Sequence, residues 1–301
     1  MLNSVEVRNA VGTLVQTLPI KSVSASSHYV IEEITGLDPV KADITSSDYA
    51  TQDGGFFQSA RAGGRNLIFK MAYQPDYVAG KTVETLRREM YSIFPPKGAV
   101  FLRFFNSDPL FKTVEIKGWV ESFSSPPFAK EPAINVSIIC PKPNFYELAP
   151  VTKLGDSGTI ISMPYEGDAE VGFTLRVNPL TTIQRLVLKN GVDKDLDLRF
   201  QAPIPGTPGW VDPFAPTFLD TITFSTLPGN KYINLVRQGV TYNLMPYIKS
   251  GSLSMKLSPL VKTIQIDIGQ SSVPGSDVPA DWGWTTTTGM LLTCTPEYLG
   301  L

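Results

Sequence analysis

Apolar and polar positions alternate with a period of two along most of the chain. In LIFKMAY (67–73), Leu67, Phe69, Met71 and Tyr73 share one side while Ile68, Lys70 and Ala72 share the other. That is the signature of a strand with one covered face. TVEIKGWVE (113–121) repeats the pattern, setting Val114, Ile116 and Val120 against Glu115, Lys117 and Trp119. AVFLRFF (99–105) and INVSIIC (134–140) are more continuously apolar and predict strands covered on both faces. The period becomes helical in TVETLRREMYSIF (82–94), where Val83, Leu86, Met90, Ile93 and Phe94 fall on one side. Thr82 is placed as its N-cap, Glu84 and Arg88 form an i,i+4 pair, and Pro95-Pro96 ends it. The first half therefore predicts a sheet or barrel with one helix against it.

A boundary is expected near 148–158, dividing the chain into domains 1–150 and 151–301. Strands resume at VGFTLRV (171–177), then at RLVLK and VDKDLDLRF on either side of Asn190-Gly191, which reads as a type I′ hairpin turn. Leu196, Leu198 and Phe200 alternate with Asp197 and Arg199, a strand with one wet face. TITFST, KYINLV, SMKL, TIQIDIG and GMLLTCT add further strands without helices, which argues for a β-sandwich. The Pro-rich stretch 201–217, carrying Trp210 and Phe214, reads as a long loop and a candidate attachment point for an outer partner.

Composition narrows the classes. The chain has 301 residues, 42% hydrophobic and 18% charged, enough to build a core and too apolar for disorder. Lys+Arg number 26 against 28 Asp+Glu, so no overall field draws in nucleic acid, although a local patch is left open. The opening MLNSVEVRNAVGTLVQTLPI lacks the basic start and apolar run of a secretory leader, and no apolar stretch reaches the roughly 18–20 residues of a membrane span. Cys140 and Cys294 are too few for a disulfide framework and read as buried thiols, with a single bridge left open.

Chemistry is sparse. His28 is the sole histidine and belongs to no recognisable triad, and one His with two distant Cys argues against a metal cluster. Glu32 and Glu33, adjacent in a strand-like run, should point to opposite faces, and Asp193 and Asp195 flank a turn. No enzyme, cofactor or metal is expected. The stretch QDGGFFQSARAGGRN (52–66) has glycines and arginines of the kind that cradle phosphate. It lacks GK[ST], however, and a strand rather than a helix follows. A hairpin tip is the better reading, with Phe56 and Phe57 needing cover from their own domain or from a partner.

In order, the chain presents GLDPVKADI, DGGFF, GGRNLIFKM, the helix with LRREMYSIF, WVESF and IICPKPNFYE. This set resembles the N-terminal half of the distal tail proteins of long, non-contractile-tailed phages, over residues 29–147. The matching elements are Asp53-Gly54, Arg65-Asn66-Leu67, Arg87 to Tyr91, and Cys140 to Phe145. A looser similarity extends through TLPGNKYINLVRQGVTYNLMP. The resemblance implies a mainly β protein: a barrel-like belt domain with one helix, then a galectin-like β-sandwich. It also implies a virion component made in the bacterial cytoplasm, a homohexameric ring joining the tail tube protein to the tail-tip hub, with receptor-binding proteins outside. Phe56, Phe57, Arg61 and Arg65 are then the candidates for the subunit interface. The alternatives are a carbohydrate-binding module using Trp210, Trp282 or Trp284, and a tail tube protein.

Overall fold

The computed structural model describes residues 2–21, 27–108, 111–126, 133–156, 158, 160–180, 182, 183, 185–190, 194–200, 215–271, 282–284 and 289–301. The chain divides into two compact units, Met1–Leu148 with Tyr298–Leu301, and Ala149–Glu297.

Unit 1 contains β1 (Leu2–Arg8), β2 (Leu14–Pro19), β3 (Tyr29–Thr35), β4 (Ala42–Asp48), β5 (Gly55–Ala62), β6 (Arg65–Tyr73), α1 (Val83–Ile93), β7 (Ala99–Asn106), β8 (Val114–Ser124), β9 (Ala133–Cys140) and β10 (Phe145–Glu147). Its main sheet runs β2-β1-β7-β8-β9-β6-β3 and is antiparallel between neighbours. The two edge strands meet only at the single parallel bridge Ile20–Ile31, so the sheet is not a closed barrel. Alternation in β6 follows the sequence, burying Leu67, Phe69, Met71 and Tyr73. These pack with Val5, Leu102, Ile116, Val136 and Ile138 and with Leu86, Met90, Ile93 and Phe94 from the helix and its C-terminal cap. Thr82 caps α1 by accepting from the Thr85 N–H at 3.3 Å.

Three expectations change here. β7 and β9 are buried on one face only; Phe101, Phe105 and Ile139 on the other are half-buried. The amphipathic stem of Lys117 supplies part of that cover, with its ammonium 5.1 Å from the Phe101 ring and 5.3 Å from Trp119. A β-bulge between Ile31 and Glu33 interrupts the alternation, leaving both Glu32 and Glu33 exposed. QDGGFFQSARAGGRN is not a hairpin tip. It supplies the end of a turn, the whole of β5, a Gly-Gly elbow and the start of β6.

Unit 2 is a sandwich of two antiparallel sheets over a shared apolar core. One sheet contains β11 (Val151–Asp156), β13 (Phe173–Asn178), β16 (Thr221–Leu227), β17 (Asn230–Arg237), β18 (Val240–Asn243) and β22 (Gly289–Cys294), in the order β11-β22-β13-β16-β17-β18. The other runs β12 (Ile160–Ser162), β20 (Thr263–Ser271), β14 (Arg185–Asn190), β15 (Lys194–Arg199) and β19 (Ile248–Ser250), with β21 (Trp282–Trp284) paired to β20. Phe173, Leu175, Leu186, Leu188, Leu196, Leu198, Phe224, Ile264 and Ile266 fill the interior.

The β14–β15 hairpin forms, but Asn190 already pairs with Lys194, so the connection is 191–193 and exceeds a two-residue turn; it lies outside the described residues. Asp193 lies there too. Asp197 is not on a wet face: it is buried between Arg185, at 3.0 Å, and Arg199, at 3.2 Å, so an ion pair rather than water covers that side. SMKL is not a strand. Met255 and Leu257 reach the core from an irregular segment, tied by the bridge Leu257–Val171. Cys140 and Cys294 are buried thiols that form no disulfide with each other, and burial pushes the Cys140 thiol up to about 12, opposed by Arg65.

Candidate assembly surface

β4 and β5 leave the main sheet of unit 1 and pair only with each other. The register runs from Ala42–Ala62 to Asp48–Gly55, with an irregularity between Thr45 and Ser46 that leaves Gln58 unpaired in the ladder. Thr45, Phe56 and Phe57 suit a strand, and Gly54, at φ +96°, lets the 49–54 turn reverse the chain. Every residue of β5 is exposed, and so is every residue of β4 except half-buried Ser47.

What this hairpin exposes is apolar on both faces. Phe56 is 46% exposed, Phe57 65% and Ile44 68%. Phe56 and Phe57 are consecutive in a strand, so they project to opposite sides. Tyr49 lies against Phe56 with ring centroids 5.8 Å apart. The four residues leave on the order of 400 Å² of apolar surface in water, the scale of a functional patch. A free two-stranded hairpin is marginal in water. Its internal bonds are slight: Arg61 and Asp43 approach to 3.8 Å while both are largely exposed, and Gln58 donates to the Ser47 hydroxyl.

The four sequence-derived interface residues therefore separate. Phe56, Phe57 and Arg61 lie together on the hairpin. Arg65 does not: it is 2% exposed, and burial lowers its pKa, opposed by Cys140 and Asp38. Its guanidinium donates to the carbonyls of Pro143 at 2.6 Å, Asp38 at 2.7 Å, Leu299 at 2.5 Å and Gly36, and stacks 4.5 Å from the Phe145 ring. With its donors so engaged it cannot meet a neighbour's carboxylate. Sequence reasoning missed Ile44 and Tyr49, because β4 reads ADITSSD and carries almost no apolar alternation.

His28, half-buried, has Nδ1 3.3 Å from the Gln74 carbonyl. No group of three or more metal-ligating side chains occurs among the described residues. No helix there is long and apolar enough to cross a membrane. Trp210 and Phe214 lie outside the described residues, as do the side chains of Trp282 and Trp284.

No protein-family model and no curated protein sequence matches the chain. Solved structures do. The crystal structure of the SPP1 Dit (gp 19.1) protein, described as a paradigm of the hub adsorption apparatus in phages infecting Gram-positive bacteria, superposes with a TM-score of 0.57 at 14% identity, covering 97% of this chain and 98% of that one. Two structures of the phage p2 baseplate in its activated conformation, with Ca and with Sr, overlap more weakly, at TM-scores of 0.40 and 0.41 and identities of 9% and 8%. They cover 97% and 98% of this chain and 98% of each of those. The chain has the fold of a Dit hub protein across both units.

Proposed function

We propose that the protein is a structural component of a phage tail tip, a distal tail ring between the tail tube and the hub that carries the host-recognition apparatus. The observation that carries this reading is the β4–β5 hairpin, which exposes apolar side chains on both faces of an isolated two-stranded sheet. Its likeness in fold to the SPP1 Dit protein, over nearly the whole of both chains, supports the same reading.

The hairpin acts as an arm. Each subunit lays it against the next around a closed rotation, a heterologous contact that ends in a ring, taken as six-fold. Phe56, Phe57, Ile44 and Tyr49 supply buried area, Arg61 meets a carboxylate, and the free edges of β4 and β5 can extend a neighbour's sheet. Receptor-binding proteins join the ring as further partners, with the 201–217 stretch as the candidate attachment point. The protein works by geometry rather than by chemistry, as a virion part and not as an enzyme.

Electron microscopy of the purified chain, alone and mixed with tail tube protein, tests this. Closed single-layer rings are the expected result. A compact monomer under both conditions refutes it, and open-ended tubes from the chain alone would make it a tube protein instead.

A further inference from the structure

We infer that the segment Tyr298–Leu301 is a latch that fixes the direction in which the β4–β5 arm leaves unit 1, acting through Arg65. The arm has two roots, the segment after β3 (36–41) and the Gly63-Gly64 elbow before β6. Arg65 begins β6 at the second root, and its guanidinium reaches the carbonyls of Gly36 and Asp38 in the first. The same guanidinium bonds the Leu299 carbonyl, so the far end of the sequence closes the node.

The tail also grips the first root directly. The Leu301 N–H donates to the Leu37 carbonyl at 3.1 Å. Gly300 lies so close that a Cβ there would stand 2.9 Å from Pro39 Cδ and 3.0 Å from the Leu37 oxygen. On the inner side, Gly36 is at φ +88°, and a Cβ would fall 2.0 Å from the Asn66 oxygen. The Gly36 site admits only glycine, while a side chain at Gly300 would push the Leu37–Pro39 segment away.

A buried arginine with no carboxylate bonded to it needs its full set of acceptors, because each donor left unpaired costs desolvation free energy. Removing the Leu299 carbonyl leaves one donor unmatched. The guanidinium then has a reason to turn towards water, and turning releases Gly36 and Asp38 together. The latch and the arm root are therefore one cooperative element rather than neighbouring details.

The latch stands on geometry within unit 1; its consequence for assembly rests on the arm reading above. The test uses the full chain below its assembly concentration, with spin labels on Ser59→Cys in the arm and Asn135→Cys on the sheet. Both positions are exposed, while native Cys140 and Cys294 are buried. Gly300→Val should at least double the width of the label-to-label distance distribution, Gly300→Ala should broaden it less, and both should raise the concentration needed for assembly at least tenfold. An unchanged width in both folded variants overturns the latch. So does loss of unit 1 folding in both, which would make the tail a general prop. A broader distribution with unchanged assembly keeps the latch and refutes the arm as the ring contact.

Discussion

Replacing both exposed aromatics of the arm, Phe56→Ser with Phe57→Ser, separates assembly from folding. At exposures of 46% and 65%, the two rings together leave roughly 200 Å² of apolar surface in water. Complete cover by a neighbour at ~25 cal/mol per Å² is worth about 5 kcal/mol per contact, and half cover about 2.5 kcal/mol. At 1.4 kcal/mol per tenfold, even half cover shifts the assembly concentration by about 60-fold. The isolated subunit loses far less. Exposed substitutions fall within about 0.5 kcal/mol, and losing the Tyr49–Phe56 ring pair adds about 0.5–1.5 kcal/mol. Sedimentation velocity over a dilution series reads the first quantity, and urea unfolding of the dilute chain reads the second. The single variants add detail: because the rings face opposite sides, each should weaken assembly when both faces are covered, with roughly additive effects. A shift below about threefold in the double variant, or a loss of subunit stability as large as the loss of assembly, refutes the reasoning.

Arg65→Met strands the carbonyls it now serves and should cost unit 1 about 3 kcal/mol or more, measured as a lowered urea midpoint. Arg65→Lys should rescue less than half of that, since an ammonium cannot span acceptors set for a planar fork. Leu86→Ala, at a fully buried position on the inner face of α1, should cost about 2–5 kcal/mol in the same assay. Asp220 gives unit 2 an acid-sensitive step. Burial alone would raise its pKa, but the Arg237 guanidinium at 2.6 Å and the Thr217 N–H at 2.7 Å more than offset this and hold it below the ordinary 3.8. A folded value below the unfolded one means the stabilisation is complete above the unfolded value and lost as pH falls through the folded one. Urea midpoints should therefore decline below about pH 4, and Asp220→Asn should flatten that decline.

Alternation in 67–73 and 113–121 was enough to orient β6 and β8, and helical spacing with a Thr82 cap was enough for α1. The same logic overreached for β7 and β9, where continuous apolar residues met a half-covered outer face. It also misread Asp197, since an acid alternating with leucines looks wet until Arg185 arrives from the neighbouring β14 and joins Arg199, two residues along the same strand, in pairing with it. SMKL failed for a different reason. Apolar side chains can reach a core from irregular backbone, and a four-residue pattern does not reveal whether a ladder exists.

The stretch 52–66 illustrates the limit and its cause. Two adjacent phenylalanines in a strand must face opposite sides, which follows from the sequence alone. Whether either side is covered depends on which strands sit beside β5, and here only β4 does. Arg65, thirteen positions into the same stretch, is buried because GLDP, CPKPN and the chain's far end converge on its guanidinium with backbone carbonyls, which carry no residue-type signal. Three of the ordered motifs that carry the family resemblance, GLDPVKADI, GGRNLIFKM and IICPKPNFYE, thus meet at one node at the root of the arm. A rigid node beneath a solvent-exposed hairpin has a physical rationale: with its root held, an arm loses less conformational entropy on docking, so more of its buried area is expressed as affinity.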